Sequence, residues 1–584
     1  MASVPLAGVP DVCARKRVKE YTADFETTND TEDCRVWAFA VCSLEDTDDV
    51  IYGSSIGEFM TCIYGLAPAK LYFHNLAFDG TFIFSWLLRN GYEWVDEKHP
   101  VAGEFTTLIS DMNQVYSCEI GMDTGRITRW DSLKLIPLSV AKEAEAFGLE
   151  MEKGEIDYNA PRPRGYVMTE QEADYIRRDV QIDAQSINVM HSQGLDKLTI
   201  GSCALSDYRG IVGSSRHFRK AFPLLTPEED ADIRKAYRGG WVYANPRYAG
   251  LEMGAGISYD VNSLYPSVMA SCDGELLPYG KPLPFTGKPQ PDELYQLWVC
   301  RLRMVFHVKH GHLPCIQLKG NLSFLPTEYI LDSDGEQVVT ITSVDWELIQ
   351  RQYDVQVTEW IGGYYFKSSR TLFRGYVSKW IEEKNRATEE GNPGRRQIAK
   401  LMLNSLYGKF ATTIRVIGRY PTLDEHGILR YVDLPAEERD GVYLPIGCFI
   451  TAWARYKTVT TAQKLGDRFL YSDTDSVKVL GLDRPQMKID DVRLGWWKDE
   501  GHFNRFKALR AKTYMAEYDD PKYGEEGHDS PTINEVHVAG MPKRCHSRVT
   551  FDNFEVGAKY WGKLYRRNVP GGVVLYEGFF EIRG

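Results

Sequence analysis

No apolar run in this sequence approaches the roughly 18 residues that a membrane-spanning helix needs, which excludes an integral helical membrane protein and leads us to expect a soluble chain. The opening residues, MASVPLAGVPDV, carry two prolines and no charged leader, a poor pattern for a signal peptide. No CxxC pair occurs, and the 11 cysteines are odd in number and scattered from Cys13 to Cys545. A disulfide framework is therefore not expected, and a reducing compartment is. No internal repeat or low-complexity tract stands out. Positive charge is also short: 81 acids against 69 bases leave a net charge of -12. A protein that merely coats nucleic acid is expected to be basic.

What is present is an enzyme-sized globular composition. The 584 residues, 43% hydrophobic and 26% charged, allow roughly three to five domains. Charge is local rather than even. Residues 29–50 hold seven acids and one arginine, whereas residues 541–568 hold seven bases and two acids. The 34 tyrosines suit stacking on bases and sugars, although most are expected in the core.

Along the chain, residues 18–28 and 35–43 read as strands joined by a turn, and residues 71–74 as a short strand followed by a helical stretch to Leu88. Thr169-x-x-Glu172 is a capping signature opening a helix over 168–191. A second strand-rich part includes 256–262. Residues 272–371 read as short strands and turns, residues 372–388 and 395–408 as two helices, residues 411–444 as a hairpin insertion, residues 449–465 as a helix, and residues 469–480 as strands. The basic C-terminal stretch ends in a PGG hairpin.

Asp24 and Glu26 lie two apart in an apolar strand, so alternation puts both carboxylates on one face. Paired acids repel and desolvate poorly, and a divalent cation relieves both penalties. Asp79 follows in FHNLAFDG and Asp179 in YIRRD, with Tyr175 one helical turn before Asp179. Singly, each motif is equally compatible with a solvated strand edge or surface helix. Jointly, four carboxylates and a tyrosine can hold two metals and position a water for in-line attack on a phosphodiester.

A second acidic set comes from Asp260, ending GISYDVNSLYP, and from Asp473 and Asp475 in LYSDTDS. Tyr265 beside Pro266 is placed to press on a nucleotide sugar. In RRQIAKLMLNSLYGKF, Arg396, Lys400, Asn404 and Tyr407 or Gly408 fall on one helical stripe, with apolar residues over much of the rest. A cationic stripe on an otherwise apolar helix suits a triphosphate held beside carboxylate-bound metals. Gly408-Lys409 is no phosphate loop, because position 403 is Leu and Phe410 follows the lysine. Lys512 and Tyr514 are expected on one face of a strand. Lys543, Arg544, Arg548, Lys559, Lys563, Arg566 and Arg567 could track a phosphate backbone. His307, His310, His312 and Cys315 match no zinc-finger spacing.

These motifs carry a family resemblance. DVNSLYP, KLMLNSLYGK and YSDTDS resemble the three polymerase motifs of family B DNA polymerases, and DFETT, FHNLAFDG and YIRRD resemble that family's three proofreading motifs. EDCRVWAFA, AYRGG, FITAWARY and VPGGVVL resemble the protein-primed, phi-29-like bacteriophage branch. The resemblance implies an α/β and α+β multidomain chain: an RNase H-like 3′–5′ exonuclease domain followed by a right-hand polymerase of palm, fingers and thumb with two insertions. The implied bounds are 1–199 exonuclease, 200–271 palm, 272–371 first insertion (terminal-protein region), 372–410 fingers, 411–444 second insertion, 445–540 palm again and 541–584 thumb. The first motif begins at Asp24, which leaves no room for the large N-terminal domain of cellular relatives.

Carried over residue by residue, Asp24, Glu26, Asp79 and Asp179 would hold the exonuclease metals, with Glu155 adding charge, Lys153 supporting the site and Tyr175 orienting water. His74, Asn75, Phe78, Ser132 and Leu133 would hold a frayed primer end. Asp260, Asp475 and the Val261 carbonyl would hold the polymerase metals, with Asp473 standing behind them. Tyr265 would exclude ribonucleotides. Lys400, helped by Lys384 or Arg396, would bind the triphosphate, and Asn404 and Tyr407 would line the templating pair. Ser263, Thr451, Arg455, Lys512 and Tyr514 would hold template and primer. Tyr237, Arg238, Gly239 and Gly240 would contact DNA and couple the two sites. The expected ions are two Mg²⁺ per site, with Mn²⁺ as the alternative. The expected partners are primer-template and single-stranded DNA, dNTPs, a terminal priming protein and a single-stranded DNA-binding protein, with the enzyme monomeric, off the membrane and in the cytoplasm of a bacterial host. A stand-alone nuclease and a non-catalytic scaffold are the rival readings. An enzyme of a linear plasmid or transposon is the rival source.

Overall fold

The alternating run Lys19–Thr27 and the fully buried Val36–Ser43 pair antiparallel, with Asp24 opposite Ala40 and a register shift at Glu26/Thr27. They lie toward one side of a ten-stranded sheet, with only Val50–Gly53 beyond them, in the computed structural model, which describes residues 18–583 except 159, 318–328, 526, 527 and 529. The N-terminal reading above therefore lies largely outside the described residues. Lys19–Thr27, Ala69–Phe73 and Gly125–Asp131 run parallel to one another, and their carboxyl ends carry the polar residues of the first site. In sheets of this kind that end is where ligands bind.

By chain contacts the protein divides into two units. The first runs to Leu198 and adds Ile417–Pro435 and Arg567–Val574. The hairpin Gly418–Leu423/Leu429–Asp433 extends its sheet through Arg419, which pairs with Ile109. Leu429 and Val573 join its core beside Phe82, Phe84 and Phe105. Gly572 is required there, because a Cβ would stand 2.2 Å from the Phe82 ring. The segments expected as insertion and thumb thus each give a short piece to this unit's packing.

Helix Glu170–Ser192 opens on the anticipated capping box, Thr169 Oγ1 accepting from the Glu172 N–H. Helix Leu76–Arg89 starts after Asn75, whose φ of 73° is the left-handed turn that aims the chain from strand to helix.

The second unit holds an eight-stranded sheet in which Gly256–Val261 lies between Ser476–Leu480 and Trp497–Arg510. A separate four-stranded sheet includes Leu297–Val308 and the long strand Tyr353–Ser369. The reading of 272–371 as short strands missed this length and also missed helix Ser343–Gln352, which has its own capping box from Thr342 and Asp345. Two other helices start earlier than expected. Pro393 and Pro445 each sit in a first turn, where a missing N–H costs nothing, so the helices are Pro393–Phe410 and Leu444–Leu465. The ten cysteines among the described residues are all unbridged thiols. Among the described residues no helix is long and apolar enough to cross a membrane.

Candidate active sites

In the first unit, ligand oxygens of Asp24, Glu26 and Asp179 lie within 4.8 Å of one another. Strand alternation delivers the first two, and the facing helix delivers Asp179. Asp79, in the first turn of Leu76–Arg89, is 3% exposed, and its Oδ1 has no hydrogen-bond partner. The Asp179 Oδ1 is likewise buried and unpaired. Burial, with Asp179 next, pushes the Asp24 carboxyl up to about 7, against the pull of Lys153. Burial and then Asp24 hold Glu26 well above the usual carboxylate range, and the same two causes raise Asp79. One lysine cannot neutralise four acids, so the set has the electrostatics of a cation site.

Lys153 pairs with Asp179 Oδ2 and lies 5.2 Å over the Tyr175 ring. Tyr175 is buried, and its hydroxyl meets that of Tyr158 at 2.9 Å. Tyr158 escaped the sequence reading; it lies in an irregular stretch whose spacing carries no signal. Glu155 is exposed and does not belong to the converging group. Asn75 donates its N–H to Asp131 Oδ1, which also takes the Leu133 N–H, so one buried aspartate fixes both expected primer-end segments. Phe78 is half-buried against Phe82. Ser132 is wholly buried, and its hydroxyl is directed to Asp183 and His74 rather than outward.

In the second unit the DTD sequence forms a hairpin tip: Asp473 ends one strand, Thr474 adopts φ 58°, and Asp475 follows. The Asp475 carbonyl accepts from the Val261 N–H at 2.8 Å, which locks the tip to the strand carrying Asp260. Burial, then Asp475 and Glu500, push Asp260 up to about 7 despite Lys498 and Lys478. Burial also raises Asp475. Asp473 turns instead to Lys512, 2.5 Å away.

The tip is held from behind. Thr458 Oγ1 donates to the Thr474 carbonyl, and the Thr474 N–H donates to Trp241. A Cβ on Gly240 would approach Thr474 to 2.5 Å, so this close passage needs glycine. Arg455 is 3% exposed, pairs with Asp345 at 2.7 Å and donates to the carbonyls of Arg238 and Gly239. The Arg238 guanidinium is itself spent on the carbonyls of Lys235, Ala236, Gln317 and Thr340. Tyr237 is half-buried nearby.

Three residues expected to hold template and primer are packed or paired within the protein. Arg455 is bonded to the 238–240 segment and to Asp345. Thr451 is 1% exposed and bonds within its own helix to Gly447 and Cys448. Tyr514 is a core ring stacked on His537 at 4.7 Å, while Lys512 sits in a left-handed turn before the strand, not on a common face with it. Polar residues cost little to bury when their partners are at hand, and the partners of Arg455 are distant in sequence.

Arg396, Lys400, Asn404 and Gly408 are exposed along one stripe of Pro393–Phe410, while Ile398, Met402, Leu403 and Leu406 are buried. Lys384 faces the same stripe: burial first, then Arg396 and Lys400, lower its pKa. Three cations crowded together without an acid among them fit a polyanion. Tyr265 and Tyr407 meet ring to ring beside them. Ser263 holds φ 51° at the start of the Tyr265 helix. His307 pairs with Asp332, His312 faces Gln352, and Cys315 is buried, so these side chains diverge rather than enclose an ion.

Residues 61–162 and 159–493 match the family of DNA polymerases type B, organellar and viral. The DNA polymerase of Bacillus phage Nf is 42% identical over 580 residues, 97% of this chain and 100% of the relative. That of Bacillus phage phi29 is also 42% identical, over 97% and 99% of the two chains. That of Streptococcus phage Cp-1 is 32% identical over 96% and 98%. Among solved structures, phi29 DNA polymerase with primer-template DNA matches with a TM-score of 0.90 and 39% identity, covering 97% of this chain and 100% of that one. The same enzyme with primer-template and incoming nucleotides also gives 0.90, at 40% identity.

Proposed function

The chain belongs to the type B DNA polymerases of organellar and viral kind, is a DNA polymerase of the phi29-like group, and on that footing we propose that it is a protein-primed, processive, strand-displacing replicase with its own 3′–5′ proofreading exonuclease. The observation that carries this reading is the pair of separate carboxylate sets, one in each unit, neither lacking a member.

The unpaired buried oxygens of Asp79 and Asp179 and the raised pKa values around them fit bound divalent ions. Mg²⁺, with Mn²⁺ as the alternative, would supply the acidified attacking oxygen and the neutralised leaving group at both sites. Asp24, Glu26, Asp79 and Asp179 would hold them in the exonuclease, and Asp260, Asp475 and the Val261 carbonyl in the polymerase. Asp473 restrains Lys512 and keeps the tip's charge in order. Lys384, Arg396 and Lys400 bind the triphosphate. Tyr265, backed by Tyr407, bars a 2′-hydroxyl. Lys153 holds Asp179 in place, and Tyr175 with Tyr158 positions the water that attacks a misplaced primer end. Asn75, Phe78 and Leu133 grip that end. In the right-hand description, 1–199 is the exonuclease, 200–271 and 445–540 the palm, 372–410 the fingers, 541–584 the thumb, and 272–371 and 411–444 the insertions.

The solved relative's complexes with primer-template, single-stranded DNA and nucleotides support the same ligands here. At initiation the attacking hydroxyl belongs to a separate terminal protein, and the work is done in the cytoplasm of a bacterial host on a linear phage-type genome. The test is extension on a primed single-stranded circle with Mg²⁺ and no accessory protein. Products many times the circle length are expected. Synthesis that halts after one lap would remove strand displacement from the reading. Net primer shortening with ample nucleotide would favour a nuclease.

A further inference from the structure

Beside the exonuclease carboxylates lies a second ligand set that shares no residue with them. Nδ1 of His74 and carboxylate oxygens of Glu143 and Asp183 lie within 4.8 Å of one another. His74 Nδ1 is 3.2 Å from Glu143 Oε1 and 3.3 Å from Ser132 Oγ, and Ser132 donates to Asp183 Oδ2 at 2.9 Å. Glu143 is 0% exposed, with only His74 and the Ser186 hydroxyl against its carboxylate, and the buried Asp183 Oδ1 has no hydrogen-bond partner. Two buried carboxyls side by side with so few donors between them are costly in a protein interior. Glu143 meets His74 Nδ1 directly, and Asp183 lies within 4.8 Å of both.

We propose that His74, Glu143 and Asp183, with the Ser132 hydroxyl at the fourth side, form a further metal site that takes one Zn²⁺-like transition ion. Ligands about 2.0–2.2 Å from such an ion lie about 3.4 Å apart, close to the separations already present. An imidazole with two carboxylates suits Zn²⁺, Co²⁺ or Mn²⁺, whereas Mg²⁺ prefers oxygen and retained water. The imidazole also donates to the Leu138 backbone, the outer contact that fixes a ligating histidine.

The four residues come from four elements. His74 and Ser132 follow two adjacent parallel strands, Glu143 lies in Val140–Phe147, and Asp183 lies one turn beyond Asp179 in Glu170–Ser192. The ion would therefore brace Asn75 and Leu133, the neighbours of its ligands, against two helices. Its role is positioning.

The full chain, stripped with a chelator and given Co²⁺ alone, is gel-filtered, then read by elemental analysis and visible absorption. We expect one retained ion per chain with the visible bands of nitrogen-containing, low-coordinate Co²⁺. Glu143→Gln and Asp183→Asn should each lose it, while Asp24→Asn/Glu26→Gln should keep it. Because a buried amide can unfold the unit, Glu143→Leu/Asp183→Leu is made as well, with circular dichroism verifying its fold; it too should retain no such ion. The proposal is overturned if the wild-type chain retains no ion with those bands, or if a folded Glu143 or Asp183 variant retains it unchanged.

Discussion

Tyr265 and Tyr407 lie with ring centroids 4.2 Å apart and planes 30° apart, one from the helix after Asp260 and the other from the cationic helix. Each ring limits the other, so Tyr265 cannot swing away from a sugar placed against it. Tyr265→Ala should raise incorporation of ribonucleotides relative to deoxyribonucleotides by about tenfold to a hundredfold. The measurement is the ratio of kcat/KM for matched rNTP and dNTP. An unchanged ratio would remove the steric role.

The two carboxylate sets should be separable by single substitutions. Asp475→Ala should abolish synthesis, by about 10³-fold or more, and spare primer degradation, while Asp24→Ala should do the reverse. Parallel extension and degradation assays on folded variants decide it; loss of both activities from either change would falsify the division into two sites.

Lys400, exposed on the stripe, should act on nucleotide alone. Lys400→Ala is expected to raise the KM for dNTP about tenfold or more and leave degradation of single-stranded DNA unaltered. A defect shared equally by both reactions would show that the lysine serves the fold.

Acidity should govern the metal-free first unit in a defined direction. Burial raises Asp24 to about 7 and lifts Glu26 and Asp79 as well. Below the unfolded value of about 4 both states are protonated. As pH then rises through the folded value, the unfolded chain gives up these protons first, so their contribution to stability is lost. The Tm of chelator-treated protein should therefore fall between about pH 4 and pH 7, and Mg²⁺ should restore it. Asp24→Asn/Glu26→Gln should flatten the profile. A profile that stays as steep in that variant would place its origin elsewhere.

Arg455→Ala strips Asp345 of its buried partner and leaves the Arg238 and Gly239 carbonyls without their donor. The expected loss is about 3–5 kcal/mol in denaturant unfolding, with DNA affinity per folded molecule retained. Reduced affinity at full stability would instead return Arg455 to the DNA surface.

Motifs set by local spacing were legible in the sequence. Asp24 and Glu26 share a strand face, Tyr175 and Asp179 share a helix face, and the 396–400–404 stripe needs only a period of 3.6. Burial of polar side chains was not legible, because it depends on partners far along the chain. Arg455 meets Asp345 across 110 residues, and Ser132 meets Asp183 across 51. Nothing near Tyr514 announces His537 as its stacking partner. The two helices expected from 395 and 449 start earlier, at Pro393 and Leu444, since a proline in a first helical turn does not look different from one just before it.

The packing of Leu429, Gly572 and Val573 onto Phe82 and its neighbours bears on how the chain is made. A ribosome will have released residues 18–198 long before these late segments emerge. The nascent sheet must wait with part of its edge and core uncovered, exposed to mispairing. The first unit to be synthesised is thus among the last to be completed, and a chain cut short before Arg567 would injure its beginning as much as its end.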